Sequence, residues 1–206
     1  MNRRFTNTAL ASALCLTLTA CGDSGGDDNP ANPSGGGLEG SWLSSCVPDG
    51  EGEFDTTLLE ISGRDLTVTV TTFEDPTCTR RSIGISSDGS LTPGEQVPIP
   101  GEAPATEVTI RYGSVALTLF EEQSVQNFNA AAACGRTDWS VGVSFDVIGC
   151  DLGTGPLVLP DEYNIYRVDG NVLLLGDIEA DGAGETPQTR PSTLDRSEPF
   201  VRTTAG

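Results

Sequence analysis

Leu66-Thr67-Val68-Thr69-Val70-Thr71 alternates an aliphatic residue with a threonine at every step. Successive side chains of an extended backbone point to opposite faces, so this hexamer presents one apolar and one hydroxylic face, and its β-branched residues suit a pleated chain. It predicts a strand buried on one side only. The same period of two recurs in Val108-Thr109-Ile110 and in Val115-Ala116-Leu117-Thr118-Leu119, and further strand candidates are 41–46, 56–61, 80–85, 139–148, 163–168 and 172–176. Asp169-Gly170 reads as a tight hairpin turn, and Gly63-Arg64-Asp65 and Asp88-Gly89 also carry turn chemistry. The fold class expected is all-β: about eight antiparallel strands closed as a barrel, or stacked as a sandwich. The stretch 91–104 carries four prolines and reads as a loop or edge. Only 121–133, with its glutamines and the Ala130-Ala131-Ala132-Ala133 run, looks helical, and a short helix there would cap one end of the barrel.

Outside the strands the composition is polar. The final thirty residues lose strand character and are rich in Pro, Gly and acids. Residues 38–206 are long enough to bury one substantial core, and no internal repeat is evident. The chain has 30 acidic and 11 basic residues, a net charge of −19, and neither histidine nor lysine. Such a surface repels nucleic-acid phosphates and anionic headgroups. Without His there is no Ser-His-Asp or Cys-His machinery and no His-ligated zinc; without Lys there is no Schiff base and no P-loop lysine. What survives is carboxylate chemistry of the glycosidase or aspartic-protease kind, or a metal held by oxygens or thiolates.

The first 37 residues say where the protein resides. Arg3 and Arg4 precede an uncharged, mostly apolar stretch, 10–20, too short to span a bilayer, which reads as an export signal. Leu18-Thr19-Ala20-Cys21 resembles the lipobox of bacterial lipoproteins. That resemblance implies removal of 1–20 as a signal peptide, thioether lipidation of Cys21 and fatty acylation, such as palmitate, of its new amino terminus. Gly22, where Asp would favour the inner membrane, implies sorting to the outer membrane. Residues 21–37 are Gly, Asp, Asn, Pro and Ser with little to bury, a flexible acidic linker. Asp23-Ser24-Gly25 spells an aspartic-protease triplet but has no scaffold there. Loss of 1–20 removes Arg3 and Arg4 and no acid, so the charge of −19 becomes −21.

Of six cysteines, Cys15 leaves with the signal and Cys21 takes the lipid, which leaves Cys46, Cys78, Cys134 and Cys150. Four in an exported domain argue for two disulfides, with three possible connectivities. Cys46–Cys78 and Cys134–Cys150 are favoured because each pair lies in its own half of the chain. No Cys-x-x-Cys is present to suggest a thiolate metal site.

Gly40-Ser41-Trp42 resembles the Gly-x-Trp signature of lipocalin-like barrels. The resemblance implies that Trp42 plugs the barrel floor beside an arginine, for which Arg167 and Arg202 are candidates. Gly40-Ser41-Trp42 with Cys46, then Phe73-Glu74-Asp75 with Cys78, Asp138-Trp139, Gly176-Asp177 and the Arg190–Asp195 run resemble small envelope lipoproteins of unknown function. In Asp177-Ile178-Glu179-Ala180-Asp181-Gly182-Ala183-Gly184-Glu185, the oxygens of Asp177, Glu179, Asp181 and Glu185 follow the rhythm of a calcium loop. Gln188 stands where a bidentate Glu belongs, Pro187 precedes it, and a strand leads in. Asp49-Gly50-Glu51-Gly52-Glu53 is a second acidic loop. Arg80-Arg81 and Arg190 are rare cations expected to pair internally, and Phe73, Tyr112, Phe120, Phe128, Trp139 and Phe145 are expected in the core or around a cavity.

The function expected from these features is a non-enzymatic lipoprotein of the bacterial cell envelope, attached to a membrane by lipid, that binds a small molecule or an envelope protein and no nucleic acid. The alternative is a calcium-responsive surface module. A carboxylate-based glycan hydrolase is the third possibility.

Overall fold

A computed structural model describes residues 37–50, 52–151, 156–178 and 182–203. The signal segment, Cys21 and nearly all of the acidic linker lie outside the described residues, as do Glu51, Glu179 and Asp181. The strands are β1 (Gly40–Leu43), β2 (Val47–Pro48), β3 (Phe54–Ser62), β4 (Asp65–Phe73), β5 (Arg81–Val97), β6 (Ala105–Leu119), β7 (Ser144–Asp146), β8 (Glu162–Asp169), β9 (Val172–Leu175) and β10 (Phe200–Arg202), with one α-helix, α1 (Glu122–Ala130). All pairings among them are antiparallel, in the order β1-β10-β9-β8-β6-β5-β4-β3, and β1 pairs back onto β3. Eight strands therefore close a barrel; β2 extends the line of β1 along β3, and β7 lies on the upper half of β6. Closure removes the free edges that an open sheet would present. From Gly37 onward the described residues belong to one compact unit.

The alternating hexamer lies in β4, with Leu66, Val68 and Val70 turned inward and Thr67, Thr69 and Thr71 outward. Inward residues gather in two buried clusters, one toward each end of the barrel. At the lower end Trp42, Leu59, Ile61, Leu66, Leu91, Val108, Ile110, Tyr166, Leu173 and Phe200 form one buried cluster. At the upper end Val115, Leu117, Leu119, Trp139 and Val147 form a second, against which α1 sets Val125 and Phe128. A third cluster, Ile99, Ala105, Ile165, Leu174 and Leu194, lies on the outer wall beneath the C-terminal segment. Each buried aliphatic or aromatic side chain contributes about 1.5–3 kcal/mol of transfer free energy, so the two inner clusters dominate the stability of the fold.

Several sequence expectations need correction. Val108–Ile110 and Val115–Leu119 belong to one strand, β6, whose alternation changes parity at a bulge where Gly113 is the extra residue between Tyr112 and Ser114. Asp88-Gly89 is no turn but lies within β5, which runs for 17 residues. Gly89 is needed because a Cβ there would collide with the Arg111 carbonyl of β6, a demand for close approach that resembles a turn signal in sequence. Residues 139–148 alternate like a strand, yet only Ser144–Asp146 pairs. The Trp139 amide instead donates to Asn129 Oδ1 (2.8 Å), and Gly142, at φ +73°, turns the chain toward β7. The helix stops at Ala130, three residues early, because Ala132 and Cys134 take positive φ. Leu91–Val97 does form strand, but pairing with β4 ends at Ser90, so this proline-bearing part of β5 is bonded along β6 and forms an edge on its other side.

Candidate functional site

The lower end of the barrel is built on Gly40-Ser41-Trp42. Trp42 is fully buried, and its indole Nε1 donates to the Leu38 carbonyl at 2.7 Å. The Arg202 guanidinium lies over the ring, 4.0 Å from its centroid, and donates to the Glu39 and Gly37 carbonyls. Gly40, at φ +119°, is required here, since a Cβ would fall 2.5 Å from Arg202 Nη1. Of the two arginines offered by the sequence, Arg202 takes this place. Arg167 lies on the outer wall, paired with Glu102 and Asp169 at 2.9 Å each.

Between the two inner clusters lies a polar belt. Tyr112 Oη donates to Glu162 Oε2 (3.1 Å), Asn164 Nδ2 donates to Glu162 Oε1 (2.8 Å), and Asn164 Oδ1 accepts the Gly176 amide (2.9 Å). Burial, with the Glu162 carboxylate beside it, pushes the Tyr112 hydroxyl well above the ordinary tyrosine range. Behind this belt Arg190 reaches from the C-terminal segment to the β6–β8 seam and donates to the Val108 carbonyl (2.6 Å) and to that of Asn164. It also pairs with Glu107 at 3.5 Å, the internal pairing expected of it, but nothing in the sequence marked Arg190 as a seam closure, because the two backbone oxygens it reaches lie 82 and 26 residues away.

The disulfides are Cys46–Cys78 and Cys134–Cys150. The first ties the β1–β2 segment to the loop after β4. In that loop the Asp75 carboxylate accepts the amides of Thr77, Thr79 and Arg80 and the hydroxyls of Thr77 and Thr79. Those donors hold Asp75 far below the usual carboxylate range. The second disulfide lies beside a stack in which Phe128 and Phe145 meet Trp139 edge-to-face, at 5.2 and 5.0 Å. Arg136 covers Phe145 at 3.6 Å, and Arg81 covers Phe120 at 4.3 Å. Phe128, Trp139 and Phe145 thus pack on one another in the upper core.

The acids fall into separate groups. Asp177 and Glu185 of the calcium-like loop are described, whereas Glu179 and Asp181 lie outside the described residues. Among the described residues no group of three or more His, Cys, Asp or Glu side chains converges on a metal-sized point. The neighbouring Glu74 carboxyl raises that of Glu121 above the ordinary range. Asp55 points inward from β3 and takes a hydrogen bond from Thr72, but its Oδ1 is buried and, among the described residues, without a partner. Burial raises its pKa above the ordinary 3.8, and the negative charge of Asp49 adds to the effect. A carboxyl that binds its proton more tightly folded than unfolded stabilises most below 3.8, and this contribution is lost as pH rises through the folded value. Asp55→Asn is therefore expected to melt higher than wild type at pH 7 and to lose that advantage at pH 3.5, by thermal unfolding across that range. Equal gains at both pH values would refute the assignment.

The outer wall over β3 to β7 is a lattice of short side chains. Register places Thr56, Thr71, Gly84, Thr118 and Ser144 in one row and Leu58, Thr69, Ser86, Ala116 and Asp146 in the next. A third row holds Glu60, Thr67, Asp88 and Ser114. The hydroxyls bond to one another and to Asp88: Thr67 to Asp88 at 2.8 Å, Ser114 to Asp88 at 3.1 Å, Thr118 with Ser144 at 2.6 Å. At the lower edge an open depression of about 390 Å³ is lined by Gly40, Ser41, Glu60, Ile61, Ser62, Asp65 and Thr67. The sequence contained this face as the outward half of its alternation, but the partners of each threonine came from register. The chain matches no known protein family and no curated protein.

Proposed function

We propose that this chain is a lipid-anchored lipoprotein of the bacterial cell envelope, held at the outer membrane through Cys21, whose domain 38–206 is a non-enzymatic binding module that engages an envelope partner on its outer wall. The anchor rests on Leu18-Thr19-Ala20-Cys21 and the acidic linker that follows. The mode of binding rests on one observation: side chains from Trp42 at one end to Trp139 at the other occupy the barrel interior. A small molecule held inside would have to displace packed core residues, at several kcal/mol each, so recognition falls to the exterior. A fatty chain contributes about 0.8 kcal/mol per buried methylene, enough with two or more chains to hold such a domain stably without a protein span.

The anchor is tested in a bacterial host by labelling with an alkyne analogue of palmitate, followed by detergent phase partitioning. Wild type is expected to carry label and enter the detergent phase, and Cys21→Ser to lose both. An unlabelled wild-type chain in the aqueous phase would overturn the anchor.

A further inference from the structure

We infer that the outer wall over β3 to β6, with the depression at its lower edge, is a binding surface for a neutral polysaccharide; this deepens the reading of the domain as an outer-wall binding module. In a chain of net charge −19 with 30 acids, the centre of this wall is uncharged. Thr56, Thr69, Thr71, Ser86 and Thr118 occupy it, half-buried by one another, and charge appears at its margins: Glu60, Asp65, Asp88 and Arg111 at the lower one, and Arg81, over the Phe120 ring, at the upper. The rows repeat at about 4.8 Å across the strands and about 6.8 Å along them, so hydroxyl donors and acceptors recur in two directions.

The depression supplies the second element. Among the described residues the Glu60 and Asp65 carboxylates form no hydrogen bond or ion pair, and they stand beside the hydroxyls of Ser41, Ser62 and Thr67. A free carboxylate accepts hydrogen bonds through both oxygens, which suits the adjacent hydroxyls of a sugar ring, and the neighbouring hydroxyls donate or accept in return. The threonine methyls offer small apolar contacts to the C–H faces of the sugars.

Other occupants fit less well. Acidic polymers, nucleic acid and a second copy of this chain all meet the net charge of −19, and the two arginines at the wall's margins are already engaged, Arg111 by Asp161 and Arg81 over the Phe120 ring. A protein partner would look for buried aromatic or arginine anchors at the centre of its patch, whereas the central rows contribute only Leu58 and Ala116 as apolar side chains, and Phe120, which lies over Gly84 beneath Arg81, stands at the upper margin. A neutral polyhydroxyl chain matches both the hydrogen-bonding character and the uncharged centre.

The test is co-sedimentation of the full chain, purified in a polyoxyethylene detergent that carries no sugar, with insoluble β-glucan and with insoluble α-glucan, and with cross-linked alginate as the acidic comparator. Wild type is expected to pellet with at least one neutral glucan and not with alginate. Thr69→Lys, which raises a long charged side chain from the middle of the wall, should weaken pelleting about tenfold or more, equivalent to about 1.4 kcal/mol. The pair Glu60→Gln with Asp65→Asn should weaken it independently, while Thr92→Lys, on the exposed far part of β5, should leave it unchanged. Circular dichroism establishes that each variant is folded. No pelleting of wild type with either glucan overturns the inference, as does equal pelleting of wild type, Thr69→Lys and the Glu60/Asp65 pair. Preference for a basic protein bead over both glucans also overturns it and identifies the margin carboxylates as a protein contact. Lipid labelling of Cys21 is read separately, so failure here leaves the anchor standing, and failure of labelling leaves glycan binding standing.

Discussion

Replacing Trp42 by alanine is expected to cost about 3–5 kcal/mol, the range for truncating a fully buried tryptophan. In a domain of this size that lowers the melting temperature by about 10 °C or more. The loss has three sources. The indole volume is vacated at the centre of the lower cluster, the Nε1 bond to Leu38 disappears, and the Arg202 guanidinium loses the ring beneath it. Arg202→Ala isolates the last part. It leaves the core volume intact but removes the cation from the ring and two donors from the Glu39 and Gly37 carbonyls, which join the first strand to the last. Its expected cost is about 2–3 kcal/mol, built from a partly desolvated cation–π contact and charged hydrogen bonds. The double variant should cost less than the sum of the singles, because Trp42→Ala already removes one of the Arg202 contacts. Arg167→Ala, which breaks the outer-wall pairs with Glu102 and Asp169 and a bond to the Ala103 carbonyl, should cost less, about 1–2 kcal/mol, because no core aromatic loses its cover. If urea unfolding placed Arg167→Ala above Arg202→Ala, the assignment of Arg202 to the barrel floor would be wrong.

Removal of each disulfide as a cysteine-to-alanine pair gives the second large effect. From sequence separations of 32 and 16, the chain-entropy relation assigns about 4 kcal/mol to Cys46–Cys78 and about 3 kcal/mol to Cys134–Cys150. Packing reverses that order. Cys134 and Cys150 pack against the cluster around Trp139, in the half of the barrel where the added strand β7 is only three residues long. Cys46 and Cys78 join segments already held by the β3–β4 hairpin, in register over nine residue pairs. The Cys134/Cys150 variant is therefore expected to have the lower urea midpoint, with a loss above the entropic 3 kcal/mol. A lower midpoint for the Cys46/Cys78 variant would mean that loop length alone governs both. With all four cysteines replaced, the summed loss of about 7 kcal/mol is comparable to the whole stability of an ordinary domain, and the chain should be largely unfolded at 37 °C.

How much was legible in the sequence varied with the range of the interactions involved. Leu66–Thr71 announced its strand because alternation is a local property and both neighbours of β4 confirmed which face was buried. The disulfide pairing followed from which cysteines share a half of the chain. The segment 139–148 misled because five alternating apolar residues fit a strand, a cap and a rim equally well. Asn129, ten residues earlier, decided among them by taking the Trp139 amide. Gly89 misled because a glycine required by a neighbouring backbone has the same letter as a glycine required by a turn. The hydroxyl wall and its depression needed register. Thr67 meets Asp88, and Asp88 meets Ser114, only once three strands are aligned.

By itself, then, the sequence determined the all-β class, the outward hydroxyl and inward aliphatic faces, the cysteine staples, and the absence of histidine and lysine chemistry, since all of these depend on residue identity and short-range periodicity. Tertiary structure alone decided that the strands close on β1 and β3, that Arg202 and not Arg167 covers Trp42, that Arg190 seals the β6–β8 seam, and that the inward side chains gather in two clusters. Each of these joins residues from about 20 to 160 positions apart, and such contacts are set by register and packing volume, which no local pattern encodes.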